Sequence, residues 1–281
     1  MATETISSVL GWISIATWVV VYSPQIWENY KLKSGEGLSV PFVMIWLLGD
    51  IMNLAGAMIA GLLPTVILLA AWYTLCDTIL LVQIYYYRWL HSRKRSLFVS
   101  EDGARIAEET RPEDTTPLLT GDNETHVAEK ESVSFKKEIL VYSTAIGFVV
   151  ATGIVAWAVS EHTRGEKGGG RPGRSEEVIE WRSQIMGWIS AVLYLGSRVP
   201  QILKNFETKC EGLSPGLFIF SIMGNATYAG SILVAGMTGK HLLINLSWLA
   251  GSALTIFLDV FVLGQFVRYR RQAVAAAASE L

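Results

Sequence analysis

Apolar residues gather in long unbroken runs along this chain, and polar residues gather between them. A helix that crosses a bilayer needs about 20 mostly apolar residues. Seven stretches reach that length, at 8–28, 40–61, 64–87, 139–160, 184–204, 215–236 and 243–267. Gly61-Leu62-Leu63-Pro64 separates the second from the third, with Pro64 suited to a helix's first turn. A similarly short Gly236–His241 link separates the sixth from the seventh. Such short links make the joined helices antiparallel neighbours. The pattern predicts an all-α membrane protein with seven transmembrane helices.

The polar stretches complete the plan. Residues 96–135 are rich in Glu, Thr, Asp and Ser with little to pack, which predicts a flexible linker. Residues 165–175 form a glycine-rich loop, and the alanine-rich tail after Arg271 reads as a helical continuation. Composition agrees: 51% of residues are apolar, only 17% are charged and the mean hydropathy is +0.36. A soluble domain carries about a quarter charged residues, so this chain lacks the polar surface to cover itself in water. Glu4 and the absence of a basic start argue against a cleaved signal peptide.

Charge then orients the chain. Lys31 and Lys33, Arg88 to Arg95, Lys136 and Lys137, Lys204 and Lys209, and Arg268 to Arg271 all fall on one side of a seven-span chain. Basic residues favour the cytosolic side, which predicts a lumenal N-terminus and a cytosolic C-terminus. Residues 161–182 are an exception, with five basic and five acidic residues on the other side. The two cysteines, Cys76 and Cys210, read as free thiols, and no metal-ligand spacing occurs among the His, Cys and acids.

A repeat underlies the spans. Gly11-Trp12, Pro24-Gln25, Ile26, Asn29 and Lys33 recur 176 residues later as Gly187-Trp188, Pro200-Gln201, Ile202, Asn205 and Lys209. One residue is then dropped, so Gly37-Leu38-Ser39 answers to Gly212-Leu213-Ser214. Asp77, Gln83 and Tyr87-Arg88 correspond to Asp259, Gln265 and Tyr269-Arg270. Each unit is three helices, spans 1–3 and 5–7, and repeats are read before other features. The fourth span restores the second unit to the orientation of the first, giving two parallel three-helix bundles joined by a linker helix. The expected organisation is 1–91 first repeat, 92–137 cytosolic linker, 138–160 connecting helix, 161–181 lumenal loop, 182–271 second repeat and 272–281 cytosolic tail.

Intramembrane polar residues point to a site. Charge inside a span is costly and usually faces a cavity or a partner. Asp50 aligns with Asn225, so the halves differ where they meet, an acid against an amide able to bind a cation or proton. Asn53, Tyr228 and Trp46 lie near the same depth. Trp72 and Trp248 are candidates to line the path, although interfacial anchoring is the ordinary role of a membrane tryptophan. Asp77 and Asp259 read as ion-pair or gating residues, with proton coupling open to both, and Arg198 is deep enough to seek Asp259 or Asp77. Pro24 and Pro200 kink spans one and five toward their cytosolic ends, with Gln25 and Gln201 free to bond exposed backbone or an opposing helix. Gly49, Gly56, Gly224 and Gly230 suit close helix contact. In the linker, Asp114 stands four positions before Leu118-Leu119, an acidic dileucine pattern of the kind sorting adaptors bind.

YSPQIWENYKLKSGEGLS (22–39) and LYLGSRVPQILKNFETKCEGLS (193–214) resemble the PQ-loop family of seven-span transporters. The resemblance covers all seven spans, and the second string is most similar to the vacuolar and lysosomal cationic amino-acid branch. It implies a uniporter or proton-coupled carrier that exports arginine, lysine or histidine to the cytosol, with Pro24 and Pro200 as hinges. Cys210 departs from the first copy, where Ser34 stands. The expected partners are a basic amino acid, the lipid bilayer and sorting adaptors, with no nucleic acid and no cofactor. No nucleophile, acid–base pair or metal cluster suggests an enzyme. A sugar carrier or a seven-span ligand-binding receptor is the alternative, distinguished by a neutral aromatic site or by binding without flux.

Overall fold

The computed structural model describes residues 2–59, 64–109, 135–166 and 181–279. All of the regular structure among them is helical. The chain runs α1 (Ala2–Val20), α2 (Ser23–Leu32), α3 (Val40–Ile59), α4 (Pro64–Glu109), α5 (Phe135–Glu166), α6 (Trp181–Thr208), α7 (Pro215–Ala235), α8 (Gly239–Ile244) and α9 (Leu246–Ser279).

Polarity is distributed inside out relative to a soluble protein. Phe148, Leu68 and Phe257 are about 70% exposed, whereas Gln25, Asn29, Asp77, Gln201, Asn205 and Asp259 are fully buried. An apolar exterior around a polar interior fits lipid, where only internally paired backbone survives. Among the described residues, five helical stretches are long and apolar enough to cross a membrane, at Ala2–Leu32, Ile67–Arg93, Leu140–Thr163, Pro215–Ala235 and Leu246–Ala273. Val40–Ala55 is apolar but shorter. The fold is thus an all-α, multi-pass membrane architecture.

Packing crosses the two copies of the repeat. Within copies, α3 lies on α4, and α9 lies on both α7 and α6. Between copies, α1 lies on α7 and α3 on α6, so the two halves interlock through equivalent pairs. α5 packs on α1, with Ile13 so close to Gly153 that any side chain there would clash with its backbone.

The two prolines do different things to their helices. Pro24 sits in the first turn of α2, after a break at Val21-Tyr22 that divides the first span. A proline there gives up only an N–H that a helix start leaves unpaired anyway. The Trp72 indole donates to the carbonyl of Val19 at 3.0 Å, satisfying one of the groups freed by the break. Pro200 instead lies inside an unbroken α6. Beyond these helices the chain turns through left-handed residues, Lys33 in the first copy and Lys209, Cys210 and Gly212 in the second. Two successive left-handed residues let the shorter second loop reverse direction. Gly212 takes φ +71, and a side chain on Gly37 would enter the Gly212 carbonyl. The two loops therefore meet backbone to backbone.

Several boundaries differ from expectation. α4 continues to Glu109, into the stretch 92–137 read as a flexible linker. Residues 92–109 contain no proline and only Gly103, so nothing local ends the helix before Pro112. α5 spans Phe135–Glu166 rather than 138–160, whereas α9 carries on to Ser279, the helical continuation expected after Arg271. Asp114, Leu118 and Leu119 lie outside the described residues.

Candidate functional site

Each proline places the next residue, a glutamine, inward and out of reach of solvent. Gln25 Oε1 accepts from the Ser214 amide at 2.7 Å, and its Nε2 donates to the Gly212 carbonyl at 3.0 Å. Gln201 Oε1 accepts from the Ser39 amide at 2.7 Å, and its Nε2 donates to the Gly37 carbonyl at 3.0 Å. Each glutamine thus binds the loop of the opposite half, and the two clamps are mirror statements of one another.

Both clamps are anchored behind. Gln25 donates to Asn29, Asn29 to Gln83, and Gln83 to the Ile26 carbonyl. Gln201, Asn205, Gln265 and the Ile202 carbonyl repeat the chain. The two clamps contribute four hydrogen bonds between the halves, each worth about 0.5–1.5 kcal/mol net. Together they supply about 2–6 kcal/mol, enough to close this end and small enough for a ligand to overcome. At the surface Glu36 pairs with Arg88 at 2.6 Å and lies 3.8 Å from Lys204, whose ammonium also caps the Leu38 carbonyl. The hydrogen bond from Arg88 holds the Glu36 carboxyl below its ordinary range. Such an exposed pair adds little by itself.

Behind the clamp lies a cavity of about 390 Å³ between the halves. Its lining runs from Tyr22, Asp50 and Arg198 toward Gly11, Gly187 and Trp248, away from the Pro-Gln segments. Asp50 projects from α3 and is buried. Its Oδ2 accepts from the Tyr22 hydroxyl at 3.0 Å and its Oδ1 from the Tyr194 hydroxyl at 2.7 Å. Asn53, one turn on, donates to the Tyr194 oxygen and accepts from Ser190 at 3.1 Å. Gly49 makes room for this, because a side chain there would press on the Tyr194 ring.

Arg198 has its own partners. Its Nε donates to Asp259 at 3.1 Å, and its other nitrogens donate to Ser221, Ser197 and the Tyr194 carbonyl. Ser221 also donates to the second Asp259 oxygen. The guanidinium lies 4.6 Å from the Trp46 ring centroid, a cation–π contact. Of the two acids open to Arg198, Asp259 is the one it pairs with. Asp77 is fully buried against Asp50 and Tyr22, and its carboxyl meets these two groups and no cation.

The remaining candidates divide. Asn225 and Tyr228 line the cavity, and the Asn225 amide donates to the Ser221 carbonyl rather than to Asp50. Trp248 lines the cavity, whereas Trp72 serves the helix break. Tyr22, Tyr194, Ser190 and Ser221 were not singled out from sequence, although Trp18 and Tyr194 share one position of the 176-residue register, as do Tyr22 and Arg198. No group of His, Cys, Asp and Glu among the described residues is placed to hold a metal ion.

A duplicated helical membrane protein with an acid-centred cavity between its halves belongs to the class of solute carriers. The chain is a member of the PQ-loop family. The PQ loop repeat matches residues 6–66 and 183–237, one in each half. The vacuolar lysine transporter YPQ1 of Saccharomyces cerevisiae is 36% identical over 95% of this chain and 94% of its own. The vacuolar histidine transporter YPQ3 of the same yeast is 38% identical, over 95% and 93%. The human lysosomal amino acid transporter 1 homolog is 33% identical, over 97% and 84%.

Two outcomes follow from these contacts. Arg198→Met should destabilise the purified protein by about 3–5 kcal/mol, because Asp259 is left charged and buried. Arg198→Met with Asp259→Leu should recover most of that loss in thermal unfolding, and a double variant no better than the single would contradict the pairing. Gln25→Ala or Gln201→Ala leaves two loop groups unpaired, at about 1–3 kcal/mol. In a Cys76→Ala background, maleimide labelling of the buried Cys210 should then speed up about tenfold. An unchanged rate in both variants would remove the glutamines as the closing element.

Proposed function

We infer that this chain is a carrier of cationic amino acids across a vacuolar or lysosomal membrane, working by alternating access. The observation that carries this is the cavity on the seam between the halves, with the Asp50 carboxylate at its base and closed at one end by the paired glutamines. A basic amino acid fits that chemistry. Its cationic group meets a carboxylate in a water-poor setting, where charge pairing is far stronger than in bulk water. Relatives along almost the full length are named as lysine, histidine and amino acid transporters of vacuoles and lysosomes.

The spans are read as seven, with α1–α2, α3 and α4 forming one bundle, α6, α7 and α9 the second, and α5 the connecting helix. The contacts of α3 with α4 and of α9 with α6 and α7 support that division, and the pseudo-equivalent α1–α7 and α3–α6 contacts join the halves. The basic residues after spans one, three, five and seven support a lumenal N-terminus and cytosolic Pro-Gln ends. With the clamps closed, the structure is read as facing the lumen. Release toward the cytosol requires Gln25 and Gln201 to let go of the opposite loops, with Pro24 and Pro200 as bending points. Asn53, Asn225, Tyr228 and Trp46 complete the binding surface, and Asp77, Asp259 and Arg198 set its charge and gating. Proton coupling is carried by the same acids. The acidic dileucine pattern at Asp114, Leu118 and Leu119 is read as an adaptor-binding signal for the vacuole or lysosome.

The test is uptake of labelled arginine, lysine and histidine by the purified protein in liposomes, with and without a pH gradient and with sugars as competitors. Basic amino acids should enter and sugars should not compete. Asp50→Asn should reduce uptake about tenfold or more, and Pro200→Leu should slow turnover. Unchanged uptake in both variants would sink the assigned roles, and a wild-type protein that moves only sugars would replace the substrate class.

A further inference from the structure

The repeat allows each polar residue of one half to be compared with its counterpart in the other. Asp77 corresponds to Asp259, Asp50 to Asn225 and Tyr22 to Arg198. In the second half this set is electrically complete. Arg198 and Asp259 form a buried ion pair, Ser221 bridges them, and Asn225 is a neutral amide satisfied by backbone. In the first half the same positions hold two carboxylates and a phenol. Tyr22 supplies one hydroxyl, which donates to Asp50, and Asp77 sits against that acid and that phenol with no base in ion-pair contact.

Charge sharpens the contrast. The buried charged residues among those described are Asp50, Asp77, Asp259 and Arg198, three acids and one base. Burying a carboxylate without a counter-charge costs several kcal/mol, and the chain spends its one buried base on the second half. Among the described residues, the titratable groups that face the first-half pair are Tyr22 from the α1–α2 junction, Tyr73 and Cys76 from α4, and Tyr194 and the committed Arg198 from α6. None of them is a cation free to answer Asp77. The pair is reached from the cavity, because Tyr22 and Asp50 both line it.

We propose that Arg198 is a tethered stand-in for the ligand's side-chain cation, and that the Asp50–Asp77 pair beneath Tyr22 is the seat that takes the side-chain ammonium or guanidinium of the transported molecule. The second half shows the arrangement already satisfied: a guanidinium between an acid from the last span of its unit and the hydroxyls of Ser197 and Ser221, over the Trp46 ring of the other half. The first half offers the same acid and the tyrosine hydroxyl, with Asp50 added. Carrying one internal guanidinium rather than two leaves a single seat, which takes one side-chain cation per cycle. The inference rests on the carrier reading above and assigns Asp77, which does not itself line the cavity, a direct part in cation recognition.

The test compares L-lysine with L-norleucine, which lacks the side-chain amino group. Binding to the purified full chain is followed by calorimetry and by the shift in unfolding temperature. The wild type should prefer lysine by about tenfold or more, in line with one charge-assisted contact in a desolvated site. Tyr22→Arg should build the internal ion pair into the first half. That variant should unfold no earlier than the wild type, and its lysine preference should fall below about threefold through loss of lysine binding alone. Asp77→Asn, which is close in shape, should lose the preference in the same way and decides the matter if Tyr22→Arg does not fold. Equal losses for lysine and norleucine would mark a structural role and overturn the proposal, as would a full preference retained in Asp77→Asn. A wild type that binds neither ligand would instead overturn the carrier reading on which the proposal stands.

Discussion

The constraint on which everything else depends is that lipid offers no hydrogen bonds. Every amide, hydroxyl and carboxylate that this chain places inside its spans is costly unless the protein or a ligand gives it a partner. The two buried glutamines meet that demand by reaching across the seam, each binding one N–H and one C=O of the opposite loop. Those groups belong to tight turns at Gly212 and beside Gly37 that ordinary helix hydrogen bonding leaves open. Satisfying them from the other half converts a local need into a lock between halves. The lock is therefore removable only by a state that satisfies the same groups some other way.

Near-symmetry and its breaking have separate roles. The clamp is symmetric down to its anchoring Asn and Gln side chains, as a closing device shared by two equivalent halves should be. The cavity behind it is not. Asp50 against Asn225 and Tyr22 against Arg198 put the uncompensated negative charge in one half. A two-fold symmetric acid site would hold twice the charge to be neutralised, at a cost that rises steeply in a desolvated interior. The symmetric clamp and the asymmetric cavity are the two features on which the proposed gate and the proposed cation site rest.

Much of this was legible in the residues. The Pro-Gln pairs, the repeat and the acids inside spans follow from spacing and from the cost of buried charge, and Arg198 could be matched to an acid before any coordinates. The tyrosines could not be singled out so readily. Tyr22 and Tyr194 are ordinary residues for a membrane helix, and their importance comes from tertiary placement against Asp50. Their positions in the repeat were visible, but the partners there are Arg and Trp, so a search for identical residues passes over them. Helix extents were hidden for a different reason. Low hydropathy after Arg93 marks the end of the apolar run, not the end of the helix, and α4 continues because its sequence contains no breaker before Pro112.

The central claim is that a cationic amino acid sits on Asp50 while the glutamine clamps are shut. An experimental structure of the purified chain with L-arginine bound addresses it most directly. The account predicts the guanidinium within hydrogen-bonding distance of the Asp50 carboxylate, in the cavity between the halves, with Gln25 and Gln201 still bonded to the opposite loops. Arginine found outside that cavity, or within it but oriented with no contact to Asp50, would contradict the account.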